Sequence, residues 1–225
     1  MHTVNRILLL LVATVWLAGC ATGFPRATTP YAAADGLDGA AVLARGVAAH
    51  GGARGDTPCQ AAEGADFVLA CVGNDDDLRQ VCTGEDGAFA GMAKGAIFVD
   101  HTTVSAQVTR ELSQVARNAG FGFVDAPVSG GQAGAENGQL SIMCGGSPED
   151  YAAAEPVMAA YARICRRMGD SGAGQLTKMC NQIAIAGVVQ GLAESLNFAE
   201  RAGLSIPQVV EVISQGAAGS WQMAN

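Results

Sequence analysis

Apolar positions fall into two regimes along the chain. From residue 65 onward, short unbroken apolar runs alternate with segments of helical period. Ala65-Asp66-Phe67-Val68-Leu69-Ala70-Cys71-Val72-Gly73 is a compact apolar run closed by a turn residue, as expected of a strand buried on both faces of a parallel sheet. Asp75 to Gly84 is polar-led and fits a helix. Gly95-Ala96-Ile97-Phe98-Val99-Asp100 reads as a second buried strand. Ser105 then caps a helix over 106–119, with Val108, Leu112, Val115 and Ala116 at helical spacing. Gly122-Phe123-Val124-Asp125 is a third strand and Leu140-Ser141-Ile142-Met143-Cys144 a fourth, and Pro148-Glu149-Asp150 opens a helix to about Arg163. Strands alternating with helices predict an α/β fold with a mostly parallel sheet.

After Gly169 the period changes. Residues 174–202 form one apolar-rich stretch without Pro, in which Ile183, Val188, Leu192, Leu196 and Ala199 recur at helical steps. A helix of that length spans or links domains. Gly203 stops it, and Ser205-Ile206-Pro207 starts another, with Pro in the first turn. The expected organisation is an atypical segment 1–50, an α/β domain 51–169, and a long helix opening an all-helical part over 170–225.

The first fifty residues lack this order. Met1 to Cys20 looks like a bacterial lipoprotein export signal: Arg6 supplies positive charge, Ile7 to Leu17 an apolar core, and Leu17-Ala18-Gly19-Cys20 resembles a lipobox. That core is too short to span a bilayer, which takes ~20 apolar residues. Residues 21–49 are Ala-, Gly-, Arg-, Thr- and Pro-rich with little period.

Composition narrows the partners. With Lys+Arg 13 against Asp+Glu 21, the 225-residue chain carries a net charge of −8, and no basic run offers phosphates a surface, so nucleic acid is not an expected partner. The 7 cysteines are widely scattered, without CxxC or a His at ligand spacing; neither a disulfide framework nor a zinc site is expected. Cys71, Cys144 and Cys180 sit in apolar runs and read as buried thiols. Asp75-Asp76-Asp77 is better explained as an acidic helix N-terminus than as a metal site, since no Gly and Glu complete a calcium loop.

Three segments carry the chemistry: Asp125-Ala126-Pro127-Val128-Ser129-Gly130-Gly131, Gly172-Ala173-Gly174-Gln175-Leu176-Thr177-Lys178, and Asn181-Gln182. On these motifs residues 51–225 resemble the β-hydroxyacid dehydrogenase family, which includes 3-hydroxyisobutyrate dehydrogenase and tartronate semialdehyde reductase. The resemblance implies a Rossmann-type nucleotide domain followed by a long helix and a helical domain, an NAD or NADP cofactor, a small hydroxyacid substrate, and a homo-oligomer at full length. It also implies that Lys178 is the catalytic acid/base, a role helped by burial and a helix N-terminus, which bring a lysine toward neutrality. The alternative for Lys178 is a snorkelling surface lysine. Ser129, Gly130 and Gly131 offer a hydroxyl and backbone N–H groups to a substrate carboxylate, or form a plain turn. Asn181, three residues beyond Lys178, and more weakly Gln182 are candidates for binding substrate; a helix–helix hydrogen bond is the other reading of Asn181. Val72, Gly73 and Asn74 stand where the family places a cofactor-contacting turn, and Thr102 and Thr103 match its Ser/Thr contacts near the nicotinamide ribose. A solvated turn is the alternative at both places.

The family's GxGxxG turn, which cradles the pyrophosphate, is absent from residues 1–50. A frameshifted first segment accounts for that better than a true export signal, because a nicotinamide enzyme has its cofactor pool in the cytoplasm. The chain also ends inside a family segment, Ala217 to Met223. The expectation is therefore a cytoplasmic oxidoreductase cut short at both ends, the alternatives being a non-catalytic remnant or an envelope protein anchored through Cys20.

Overall fold

The computed structural model describes residues 7–10 and 55–224. They form two compact units, residues 1–178 and 179–225, the division falling inside the long helix and not before it.

The first unit is built on a seven-stranded sheet. Its strands are β1 (Ile7–Leu10), β2 (Phe67–Ala70), β3 (Ile97–Asp100), β4 (Gly122–Asp125), β5 (Val128–Ser129), β6 (Leu140–Gly145) and β7 (Ala162–Gly169). Spatial order is β1-β2-β3-β4-β6-β5, with β7 also pairing β6. The pairs β1–β2, β2–β3, β3–β4 and β6–β7 are parallel, whereas β6 runs antiparallel to β4 and β5. In register, Leu10, Ala70, Asp100 and Asp125 line up at the carboxyl ends of four neighbouring strands.

Both faces of this sheet are covered, which is why the strands read as continuous apolar runs. On one face Val68, Ala70, Phe98 and Phe123 pack against Leu78, Val108, Leu112 and Ala116. These come from α2 (Asp75–Thr83) and α4 (Ala106–Ala119); α1 (Pro58–Ala62) and α3 (Ala88–Gly91) precede them in their turn. On the other face Phe67, Leu69, Ile97, Val99, Val124, Ile142 and Cys144 pack against Ala154 and Met158 of α6 (Pro148–Met158). Helix α4 begins at Ser105, whose hydroxyl accepts from the Val108 amide at 3.1 Å, and ends at Gly120 with φ +91°, the left-handed stop that favours glycine. Val115 stands at the margin of its buried stripe and is 40% exposed.

Three readings of the sequence change. The helix opened by Pro148 stops at Met158, and Ala162–Gly169 is strand β7; local helix propensity in the Ala-rich run yields there to pairing with β6. Cys71 and Cys180 are exposed while Cys144 is buried, because Cys71 lies past the end of β2 and Cys180 on an uncovered helix face. Ser129-Gly130-Gly131 is not a free loop: Ser129 ends β5, and α5 (Gly131–Glu136) starts at once after it.

Ile7–Leu10, from the signal-like apolar run, pairs in parallel with β2. Cys20 and the remaining lipobox-like residues lie outside the described residues. Among the described residues no helix is long and apolar enough to cross a membrane.

Helix α7 (Ala173–Arg201) continues into the second unit, followed by α8 (Ile206–Ile213) and α9 (Trp221–Ala224). It ends where Leu204 N–H donates back to the Ala199 carbonyl at 3.0 Å over Gly203, whose φ is +73°.

Candidate active site

The carboxyl ends of the parallel strands and the N-terminus of α7 meet at Asp125. This carboxylate is fully buried and accepts from the Gly172 amide at 2.8 Å and the Gln175 amide at 3.1 Å. A side chain from strand β4 thus caps α7, satisfying donors that a helix start otherwise leaves orphaned. Burial pushes the Asp125 carboxyl up, and the amide bonds from Gly172 and Gln175 pull against it. The two glycines of Gly172-Ala173-Gly174 are explained by this approach. Gly172 has φ +92°, and a Cβ on Gly174 would fall against the Met143 carbonyl and within 2.7 Å of the Asp125 carboxylate.

Gln175, also fully buried, ties this helix to the turn after β3. Its Nε2 donates to the Thr102 carbonyl at 2.7 Å, and its Oε1 accepts from the Val104 amide at 3.1 Å. Thr102 is itself locked: its Oγ1 accepts from the Val72 amide at 3.0 Å, and its own amide donates to Asp100 Oδ1 at 2.9 Å. The turns 72–74 and 102–104 are therefore one hydrogen-bonded unit at the strand ends, where open α/β sheets bind ligands. Asp100 is completely buried and its Oδ2 has no hydrogen-bond partner. Burial, and after it the nearby Asp125 charge, push its carboxyl up to about 7, against the hydrogen bonds from Thr102.

Lys178 comes from the second turn of α7. Only 8% exposed, it donates from Nζ to the Val128 carbonyl at 2.7 Å, and desolvation lowers its pKa. It is not a snorkelling surface lysine. Its partner is the residue before Ser129, so the amine and the Ser129-Gly130-Gly131 turn are brought together within the first unit. Gly130 and Gly131 have φ +134° and +60°, conformations open at low cost only to glycine.

The other candidate residues are placed differently. Asn74 caps α2, its Oδ1 accepting from the Asp76 and Asp77 amides at 2.9 and 3.0 Å, so its side chain is already engaged. Thr103 and Gly73 are exposed, Val72 half-buried. Asn181 and Gln182 lie in the second unit, where Asn181 Nδ2 donates to Gln182 Oε1 at 3.0 Å. Asp75 accepts from both the amide and the hydroxyl of Ser105, in keeping with a helix-start role. The sequence reading gives Asp125 and Gln175 no role of their own. Gln175 directly follows Gly174, the one local signal that points to it, whereas Asp125 meets these glycines only in the folded sheet. His101 adds a further engaged group, its ring nitrogens lying 2.7 Å from the Ala126 carbonyl and 2.9 Å from the Tyr161 hydroxyl.

The described turns fit the nicotinamide–ribose side of a dinucleotide: neutral, backbone-rich and pre-tied by Thr102 and Gln175. They fit its pyrophosphate less well, because exposed Asp76 adds a carboxylate there and the neighbouring cation, Arg79, is itself paired with Asp76 and Glu111 at 3.1 and 3.0 Å.

Comparison with known proteins places this geometry. Residues 38–169 match the NAD binding domain of 6-phosphogluconate dehydrogenase, and residues 172–225 the NAD-binding domain of NADP-dependent 3-hydroxyisobutyrate dehydrogenase. An uncharacterized oxidoreductase of Shewanella frigidimarina (strain NCIMB 400) is 59% identical over 176 residues, 78% of this chain and 60% of that protein. The 3-hydroxyisobutyrate dehydrogenase of Pseudomonas aeruginosa is 33% identical over 178 residues, 79% of this chain and 60% of that one. A solved structure of Mycobacterium tuberculosis 3-hydroxyisobutyrate dehydrogenase with L-serine superposes with a TM-score of 0.73 at 32% identity, covering 81% of this chain and 62% of that chain. The chain thus spans about 60% of the length of the relatives it matches.

Proposed function

The chain belongs to the β-hydroxyacid dehydrogenase family, and from that premise we propose that it carries the proton-transfer half of an NAD(P)-dependent oxidation of a small β-hydroxyacid, with Lys178 as acid/base. One observation carries this reading: a desolvated Lys178 amine held 2.7 Å from the Val128 carbonyl, next to the Ser129-Gly130-Gly131 turn. Removing hydride from a carbinol carbon requires the hydroxyl proton to go to a nearby base, and a lysine is such a base only when its charged form is disfavoured. Burial does that here. The Val128 carbonyl aims the amine, and the Gly130 and Gly131 amides with the Ser129 hydroxyl receive the substrate carboxylate. Asn181 and Gln182 add hydrogen bonds to the substrate in the same reading.

NAD or NADP supplies the hydride acceptor when bound. Val72, Gly73, Thr102 and Thr103 hold its nicotinamide–ribose side; Asn74 contributes through its backbone, since its side chain caps α2. The substrate class includes 3-hydroxyisobutyrate and L-serine, the compound with which the mycobacterial relative was solved. A cytoplasmic location, where the nicotinamide pool lies, and a homo-oligomer of the whole protein belong to this reading too.

The test is reduction of NAD⁺ or NADP⁺ by 3-hydroxyisobutyrate or L-serine, compared between the unaltered chain and Lys178→Ala. General acid–base catalysis contributes roughly 10²–10⁴ in turnover, so the variant should lose about that factor with little change in cofactor affinity. Turnover preserved within a few-fold makes Lys178 a structural residue.

A further inference from the structure

Two cysteines that play no part in the proposed chemistry lie side by side in the first unit. Cys144 is wholly buried in β6, and Cys165 is half-buried in β7. In the parallel β6–β7 pair Ile142 stands opposite Cys165, and Cys144 opposite Arg167. The cysteines are therefore diagonal neighbours on one face, and their Sγ atoms are 3.5 Å apart. Among the described residues no other cysteine sulfurs meet. Met158 Sδ backs Cys144 at 3.9 Å, and the Tyr151 hydroxyl reaches the Cys165 carbonyl at 3.2 Å.

We propose that Cys144 and Cys165 are a peroxide-oxidisable dithiol that closes to a reversible disulfide, with Cys165 as the attacking sulfur and Cys144 as the resolving one. The pair is asymmetric in the required sense. Cys165 has solvent access and Cys144 has none. The contact between the two sulfurs holds the Cys165 thiol below its ordinary range and, together with burial, raises that of Cys144; reactivity toward peroxide follows the thiolate.

The chemistry balances with hydrogen peroxide as oxidant. Cys165 thiolate attacks one peroxide oxygen, the O–O bond breaks, and a sulfenic acid forms as hydroxide leaves and takes up a proton to become water. Cys144 sulfur then attacks the sulfenic sulfur. An S–S bond forms, the S–O bond breaks, and the Cys144 proton departs with the hydroxyl as a second water. Two thiols are oxidised by two electrons while one peroxide is reduced to two waters.

Geometry sets the character of the bond. A disulfide needs its sulfurs about 2.05 Å apart, whereas these stand 3.5 Å apart. Closure therefore requires β7 to move toward β6 at this point. Strand β7 is suited to that, since among the described residues it pairs only with β6, and the ladder already breaks register between Leu140 and Ser141 and between Cys144 and Gly145. A bond closed by such a shift is strained, and strained disulfides are the easily reduced ones.

The experiment uses the unaltered 225-residue chain. It is treated with hydrogen peroxide, its remaining thiols are alkylated, and it is mapped by mass spectrometry without reduction. The expected product is a cross-linked peptide pair joining Cys144 to Cys165, lighter by two hydrogens and abolished by glutathione. Cys165→Ser should leave Cys144 as a thiol, while Cys144→Ser should leave Cys165 as a sulfenic acid trapped by dimedone. Two results on the unaltered chain overturn the proposal, whatever the variants do. One is the absence of the cross-link at peroxide doses that oxidise exposed Cys71 or Cys180. The other is conversion of Cys165 to sulfinic acid while Cys144 stays a thiol.

Discussion

Asp100 gives the site a pH dependence of stability that can be worked from the structure. The carboxyl is completely buried, bonded on one oxygen by the Thr102 amide at 2.9 Å and bare on the other. Burial carries it from its ordinary 3.8 to about 7. Between those values the folded chain keeps a proton that the unfolded chain has released, so stability falls as pH rises through that window and levels off above about 7. At 1.36 kcal/mol for each pH unit, the interval from 3.8 to about 7 corresponds to roughly 4 kcal/mol in all. Asp125, also pushed up by burial, adds in the same direction; His101, pushed down by burial, works in the opposite one. The difference between the unaltered chain and Asp100→Asn isolates the Asp100 share, because the amide keeps the acceptor for Thr102 and cannot ionise. Urea unfolding followed by circular dichroism from about pH 5 to about pH 8 should show the variant more stable than the parent at the alkaline end, by several kcal/mol at most, the gap closing toward pH 5. A constant gap across that range, or a variant less stable at pH 8 than at pH 5 by the same amount as the parent, refutes the reasoning.

Other expectations follow from the same contacts. Asp125→Asn should destabilise the first unit by about 2–4 kcal/mol, because one of the two capped amides then faces an N–H instead of an acceptor; an unchanged urea midpoint contradicts the cap. Gly174→Ala should cost at least about 1–3 kcal/mol, since the obstacles at 2.7 and 2.8 Å are the carboxylate and carbonyl of Asp125 with the Met143 carbonyl closer still; tolerance of alanine contradicts the close approach. Acetylation of Lys178, mapped by mass spectrometry against pH, should follow a profile at lower pH than that of a free lysine side chain measured alongside, because the amine is desolvated; coincident profiles contradict a perturbed amine. Calorimetry should find NAD(H) and NADP(H) bound no tighter than about millimolar by a chain whose sequence has no GxGxxG turn; micromolar binding contradicts that.

The parts of the fold legible in the sequence are those where local pattern and tertiary environment agree. Phe67–Ala70 and Ile97–Asp100 are buried on both faces, and unbroken apolar runs announce this. The long helix was placed at 174–202 and spans Ala173–Arg201, since no Pro interrupts it and Gly203 stops it. Strand β7 is not legible, because Ala162–Gly169 shows no period-two apolar alternation to compete with the Ala-rich run before it. At the site, Lys178 and the Ser129 turn were legible as motifs. The side chains that hold them were not: Asp125 and Gln175 act across 47 to 73 residues of sequence, and only the folded sheet brings them together. Asn74 shows the reverse case, a motif position whose side chain is used up in capping α2.

The most direct measurement is the initial rate of NAD⁺ or NADP⁺ reduction by 3-hydroxyisobutyrate at millimolar cofactor, for the unaltered chain and for Lys178→Ala. The account predicts a rate that rises without saturation in cofactor below about millimolar, and a loss of at least about 10² on removing the Lys178 amine. Equal rates contradict Lys178 as the acid/base, and no reduction by the unaltered chain contradicts the dehydrogenase reading itself.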